Sequence, residues 1–461
     1  MPSVRRGIVL LVAALAALVL AAPAAAKKFE VTERTDPAPD GCTNRDCSLR
    51  EAVIAANANP GPDRVVLPKK KAYSLSIENS IPPGEDAAAE GDLDVTGTLK
   101  VTHPGKGRAK VDANGIDRVF EVLAGAPTTF KRIVVTGGLS PVAGGDGGGG
   151  ILADADLTLR RSAVSGNHNL ASFGGGIMLL DDAGLTVRRS SLSNNRSDSD
   201  SGAVEAGEAP IVIARSKVIG NLADGTGGGL YLDNDASETR IIKSTIAGNE
   251  SASGAGGGFH SSGPVSVDRS TISGNTADGV GGGIETQSVL SITNSTIAGN
   301  HSTVNGGGIF GEGDVSLNAV TVVRNSADED GGGLLYGVSG PGFEVRNSLI
   351  ALNTADELGD DCTGGDDFDS LGNNLIGDDT DCAGFDAPGD FVNPNPKLGQ
   401  LKNNGGLTQT VKLKKGSPAI NNADKQSAPN KDQRGEKRGK KPDIGAYERI
   451  KKKQQGKQGK K

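Results

Sequence analysis

Glu205, Tyr231, His260, Glu285 and Phe310 follow one another at intervals of 25 to 29 residues, each directly after an apolar residue that closes a glycine-rich run. Asp233, Gln287 and Glu312 lie two positions beyond three of these sites. If the apolar residue points inward on a strand, both sets point outward. Stacked strands about 4.8 Å apart then set His260 beside Glu285. A carboxylate–imidazole–carboxylate patch suits acid/base work on a glycan. A pair of carboxylates is the minimum for glycoside hydrolysis. Glu205, Asp233, His260, Glu285 and Glu312 are therefore the catalytic candidates, with Tyr231, Phe310 and Gln287 as ligand contacts. Clustered acids could instead hold calcium for a lyase. A lyase also needs a strong base, and neither row supplies Arg or Lys. Solvated strand faces carry the same residue types without any function, and the chain has no Trp to stack on a sugar. The balance favours a non-catalytic protein, with a polysaccharide hydrolase or lyase as the alternative.

The elements that would position these residues are legible as an internal repeat. The apolar residue after the glycines recurs as Ile151, Ile177, Val204, Leu230, Phe259, Ile284, Ile309 and Leu334. Asparagine recurs in step at 167, 195, 221, 249, 275, 300, 325 and 353. Apolar residues stand three and eight positions before each asparagine, and serine stands five before it in seven of eight copies, Val320 being the exception. Within each apolar piece the pattern alternates, as in Leu157-Thr158-Leu159, which means strand rather than helix. Three strands per copy make a coil that cannot bury its own apolar face, so the core exists only in the stack. The fold class is all-β, a single-stranded parallel β-helix of about 25-residue coils. Two or three less regular coils are expected between Asp92 and Thr136. The Asn and Ser columns read as hydrogen-bonded ladders, with Asn also suited to left-handed bends. The glycines read as positive-φ or close-approach positions. No Gly-Lys-Ser/Thr sequence leads into a helix, so they are no phosphate cradle. Asp224, Asp278 and Asp330 precede glycine runs and invite calcium, but the nine-residue calcium-binding glycine repeat is absent. No cofactor and no metal is required, calcium being the one ion the acids suggest.

Gly 69 in 461 residues is about twice the ordinary share, without the Gly-X-Y period of collagen. The net charge of −7 divides into +9 over Lys431–Lys461 (13 Lys/Arg against 4 Asp/Glu) and −16 over the preceding 430 residues. An acidic body argues against nucleic acid as a partner. Arg5 and Arg6, an apolar run from Ile8 to Ala22, and Ala24-Ala25-Ala26 have the form of a secretory signal peptide. No second long apolar stretch follows, so the expectation is a secreted, extracellular or cell-surface protein. Export favours disulfides. Cys42, Cys47, Cys362 and Cys382 allow three pairings, and proximity favours Cys42–Cys47 and Cys362–Cys382.

Ser48-Leu49-Arg50-Glu51 is a capping box, and Leu49, Ala52, Val53 and Ala56 line one face of the short helix that it opens. The stretch CSLREAVIAAN, Cys47 to Asn57, resembles the CSLREA motif near the start of exported bacterial β-helix proteins. NLIGDDTDC, PKLGQLKNNGGLTQT, GSPAIN, DQRG and DIGAYE are similar to their C-terminal parts. The glycine-rich coils also resemble polymorphic outer-membrane and adhesin repeats. The resemblance implies a right-handed β-helix of the pectin-lyase-like type and no established activity. In the C-terminal block, Ser417 lacks nucleophile-elbow spacing and reads as a turn. Asp432, Arg434, Asp443 and Glu448 read as salt bridges or turns. The expected organisation is a signal peptide (1–26), an N-terminal cap with the motif and a capping helix (27–90), coils (91–358), a C-terminal end and cap (359–449) and a basic disordered tail (450–461). The expected role is binding, adhesion or scaffolding toward a polysaccharide or cell-envelope component, by a monomer.

Overall fold

A computed structural model describes residues 25–79, 87–140, 147–170, 172–180, 182–233, 237–337, 342–364 and 367–450. The signal-peptide reading falls almost wholly outside these residues, and the basic tail after Ile450 wholly so. The described chain is a right-handed parallel β-helix. Sheet 1 holds eleven strands, from Leu93–Val95 to Cys362–Thr363. Sheets 2 and 3 hold thirteen each, from Lys28–Glu30 to Phe368–Ser370 and from Ala72–Ser74 to Phe391–Val392. The apolar columns read from the repeat are the observed registers. Ile151, Ile177, Val204, Leu230, Phe259, Ile284, Ile309 and Leu334 pair in sequence along sheet 1. All eight are fully buried. Coils on both sides of residue 91 belong to the same sheets, so the cap-to-coil boundary expected there does not interrupt them.

Three strands per coil is one too few. Sheet 4 consists of nine two-residue strands, from Leu139–Ser140 to Thr354–Ala355, directly after the asparagine column. A two-residue piece has no period to read. Beside it runs the asparagine ladder. From Asn167 to Asn325 each Nδ2 donates to the next Asn Oδ1 at 2.8–3.0 Å. Each coil's backbone N–H at this position donates to the same oxygen, as Asn275 N does to Asn300 Oδ1 at 3.0 Å. The ladder is directional, so its last member must accept without donating. Asp361 does this, taking Asn353 Nδ2 at 2.8 Å on one oxygen and Asp378 N at 2.8 Å on the other. Burial pushes this carboxyl up to about 6. The serine column works through the backbone: Ser216 N donates to Ser244 Oγ at 3.1 Å, and Ser244 N to Ser270 Oγ at 3.1 Å. Val320 breaks it, and the pattern resumes with Val320 N donating to Ser348 Oγ at 3.1 Å. The glycine runs combine two needs. Gly281 sits at φ +70°, and a Cβ on Gly282 would lie 2.2 Å from the His301 carbonyl of the next coil.

The helix Leu49–Asn57 covers the N-terminal end of the core, packed against Lys28–Glu30, Asp63–Val66 and Leu93–Val95. Each residue of its motif has a structural task. Cys47 is bonded to Cys42. Ser48 and Glu51 form the capping box, and Glu51 also accepts from the Asp40 and Gly41 backbone at 3.1 and 3.2 Å. Leu49 and Ala52 enter the core. Arg50 is fully buried, paired with Asp36 through two hydrogen bonds of 2.9 and 3.0 Å, and donates to three backbone carbonyls, of Ala88, Gly91 and Asp92. Cys362–Cys382 is the second disulfide. It ties the last coils to Phe385, which packs on Phe368 at 5.6 Å and closes the other end.

The C-terminal part differs from an end cap. An antiparallel hairpin, Leu398–Lys402 with Thr410–Leu413, and the irregular chain after it fold back along the outside of sheet 3. Leu398, Val411, Leu413, Ile444 and Tyr447 bury Ala298, Val323, Leu349 and Ala351, the outward residues of its strands. Gln433 is the central polar contact: its Nε2 donates to Ser270 O at 2.9 Å and its Oε1 accepts from Thr296 Oγ1 at 2.6 Å. Asp432 pairs with Arg434 at 2.7 Å, and Glu448 lies 3.6 Å from buried Arg438. Gly416 at φ +81° and the Ser417 N to Lys414 O bond make the expected turn.

Candidate functional site

Parallel register on sheet 1 sets the outward residues Glu205, Tyr231, His260, Glu285 and Phe310 in one row, one per coil. His260 Nδ1 is hydrogen-bonded to Glu285 Oε2. The Tyr231 ring stacks on the His260 ring, centroids 4.6 Å apart and planes 27° from parallel. In the next row out, Ser262 Oγ donates to Asp233 Oδ1 at 2.6 Å. Gln287 and Asp233 are exposed and Glu312 is half-buried.

The row is not the solvent-facing surface that its outward direction implies. Glu205 is 9% exposed, His260 6%, Glu285 3% and Phe310 8%. The cause is stacking between large neighbours, Tyr231 against His260 and Phe310 beside Glu285. Strands about 4.8 Å apart leave each outward side chain flanked by the same position of two neighbouring coils. Burial governs the electrostatics. It pushes the Glu205 carboxyl up to about 9, with the negative charges of Asp200 and Asp233 adding to it. Glu205 is therefore neutral at pH 7, and its Oε2 has no hydrogen-bond partner. Burial pushes Tyr231 up to about 12, with Glu205 and Asp233 contributing. Burial also raises Glu312, helped by Glu285 and opposed by His260.

The acids that invited calcium are engaged with neighbouring coils. Asp224 accepts from Arg196 Nη2 on both oxygens, at 3.0 and 2.9 Å. Asp278 accepts from Thr303 Oγ1 at 3.0 Å and Asp330 from Leu358 N at 3.0 Å. Asp92, Asp94 and Glu121 bring carboxylate oxygens within 4.8 Å of one another. Arg118 lies against that group, 2.6 Å from Glu121 and 3.6 Å from Asp92.

Two features escaped the sequence reading. Asp200, in the turn before the glycine run, acts on Glu205. The second is a column of cations at the corner between sheets 2 and 3. Arg161, Arg189, Arg215, Lys243 and Arg269 each directly precede a ladder serine, so the repeat already carried the signal.

The family model for the right handed beta helix region matches residues 175–350. Comparison with curated proteins finds no match. Among solved structures the chain is similar to the crystal structure of pectate lyase Pel9A, at 19% identity and a TM-score of 0.44, over 93% of this chain and 98% of that one.

Proposed function

We propose that this protein is an exported, non-catalytic β-helix that binds a polysaccharide of the cell envelope or its surroundings. The observation that carries the reading is the state of the acid/base row on sheet 1. Its imidazole and carboxylate are spent on each other, and both are nearly closed to solvent. What the coils expose is repetitive. Thr158, Thr186, Ser266, Ser291 and Ser316 lie at one outward position of sheet 2. Hydroxyls on runs of adjacent coils, interrupted by Val212 and Arg240, suit a ligand that itself repeats. Two disulfides accord with an oxidising compartment. No helix among the described residues is long and apolar enough to cross a membrane.

One observation favours a second reading, glycan turnover on the sheet 1 row. Glu205 holds a proton at neutral pH two coils from His260, as a general acid would. A single experiment separates the two. Product release is followed from neutral and acidic polysaccharides, with and without calcium, for the native chain and for His260→Ala plus Glu285→Ala. Retention on insoluble polysaccharide is measured in parallel. The binding reading expects retention without products. Turnover that vanishes in the double variant would replace it with the enzymatic one.

A further inference from the structure

The fourth residue of each sheet 2 strand, and the residue after it, form the corner that leads into sheet 3. At the second of these positions stand Arg132, Arg161, Arg189, Arg215, Lys243 and Arg269, on six consecutive coils. All six adopt the left-handed conformation, with φ between +49° and +59°. That conformation is unfavourable for a long side chain and is tolerated best by glycine and asparagine. The next three coils place Asn294, Ala319 and Asn347 at the same corner with φ +47°, +58° and +51°. The turn therefore needs no cation, and six in succession are a choice that the backbone opposes.

The first corner position adds Lys131, Arg160 and Arg188, adjacent in register. Together with Arg132, Arg161 and Arg189 they enclose a depression of about 550 Å³ whose lining is wholly cationic. A second depression of about 420 Å³ continues from Arg188 and Arg189 to Arg215 and Lys243. Arg132 is tied to the carbonyls of Pro104 and Gly105, and Arg269 to Asp268. Among the described residues no hydrogen bond or ion pair engages the side chains of Arg160, Arg161, Arg188, Arg189, Arg215 or Lys243. The row repels itself: the Lys243 ammonium lies below its usual range chiefly because of the Arg269 charge. On a body whose first 430 residues sum to −16, a strip of uncompensated positive charge is an exception.

We propose that this corner is a binding site for an acidic glycan, a linear polysaccharide carrying a carboxylate or sulfate on successive sugars. The proposal rests on the binding reading above, and it names the ligand class and the place. Guanidinium forks spaced about 4.8 Å apart pair bidentately with such anions. Thr158 and Thr186 stand two residues before Arg160 and Arg188 on the same face and offer hydroxyls to sugar oxygens. Neither depression has an aromatic lining residue, so the stacking platform of single-stranded nucleic-acid sites is missing.

The test uses the full chain with alginate oligomers, dextran sulfate, unsubstituted dextran and single-stranded DNA as probes. The variant is Arg161→Asn, Arg189→Asn and Arg215→Asn together. Asparagine suits the left-handed corner, so the variant unfolds at the same or a higher denaturant concentration, and loss of binding is not loss of fold. The native chain binds the charged oligomers with steep salt dependence and ignores dextran. Alginate alone, or dextran sulfate alone, identifies the anion. The triple variant binds about a hundredfold more weakly, with a flatter salt slope. A second variant, Arg161→Lys, Arg189→Lys and Arg215→Lys, keeps the charge and recovers only part of the affinity. Unchanged binding by the asparagine variant overturns the site while leaving glycan binding intact. Failure of the native chain to bind any glycan overturns the reading beneath it. Equal affinity for DNA overturns the ligand class.

Discussion

Replacing Asn275 with alanine removes four hydrogen bonds from the buried ladder. Asn275 Oδ1 accepts from Asn249 N at 3.0 Å and Asn249 Nδ2 at 2.9 Å, and its Nδ2 donates to Asn300 Oδ1 at 2.9 Å and Ile246 O at 3.2 Å. The damage is uneven. Asn300 Oδ1 keeps its bond from Asn275 N. Asn249 is left with an unpaired backbone N–H and one unpaired amide hydrogen, at 1% exposure. At 1–3 kcal/mol for each orphaned buried donor, the cost is about 4 kcal/mol. In a stacked solenoid that loss falls on one interface between coils, so the two halves lose coupling. Urea unfolding followed by far-ultraviolet circular dichroism should show a lower midpoint and a broader or divided transition. Asn275→Asp sharpens the test. It preserves the acceptor for Asn249 but sets an oxygen against Asn300 Oδ1 and the Ile246 carbonyl, so it should destabilise at pH 7 despite its equal size. Asp361 escapes that conflict because its second oxygen faces the Asp378 N–H. A loss below about 1 kcal/mol in Asn275→Ala, or native stability in Asn275→Asp, would refute the ladder as a source of cohesion.

Two further substitutions probe the buried row and the docked segment. Glu205 titrates near 4.5 when unfolded and near 9 when folded, so the folded state holds the extra proton between those values. Stability therefore falls as pH rises through that window, by about 3 kcal/mol from pH 4.5 to pH 7 at 1.36 kcal/mol per pH unit. Glu205→Gln should flatten the dependence of the unfolding midpoint on pH, and parallel curves for the two proteins would count against a neutral Glu205. Gln433→Ala removes the acceptor of Thr296 Oγ1 and both amide hydrogens, which are shared among Ser270 O, Thr271 Oγ1, Thr408 Oγ1 and Gln409 O. It should loosen that segment by about 2–4 kcal/mol and speed protease cleavage within 398–448 while the coils stay intact. An unchanged cleavage rate would show that the apolar contacts alone hold it.

Most of the coil architecture could be read because it is periodic. Alternation within each piece and the recurrence of Asn and Ser specify which strands pair and which side chains enter the core. The ladders are visible for the same reason, since a buried polar residue recurring at one position must bond to itself or to backbone. Sheet 4 was missed because two residues show no alternation. The row from Glu205 to Phe310 was placed correctly but read as wet. Alternation gives direction only, and exposure depends on what the neighbouring coils carry. The docked segment left a trace that direction alone misreads. Ala298, Val323, Leu349 and Ala351 stand beside Thr296 and Thr321 at the outward positions of sheet 3, where earlier coils carry Ser165, Ser191, Ser193 and Lys217 beside Ala163 and Ile219. Strands apolar on both faces are covered on both faces.

The same boundary explains where the cations stop. The last is Arg269, and the next residue at that corner, Asn294, accepts from Arg438 of the docked segment at 3.0 Å. Asn347, two coils on, donates to Ser427 Oγ at 3.0 Å and accepts from Asp424 N at 2.7 Å. At Asn294 and Asn347, where the chain covers its own corner, the residue fits the left-handed bend and bonds to the covering segment, and Ala319 between them carries no charge. From Arg161 to Lys243 the residue is long, charged and unfavourable to the backbone, and at Arg269 the segment already arrives, Thr408 Oγ1 donating to the Arg269 carbonyl at 3.1 Å. Turn geometry is common to both stretches, so it does not account for the change. What differs is the cover, which is part of this chain in one stretch and, in the other, is the place of the proposed anion.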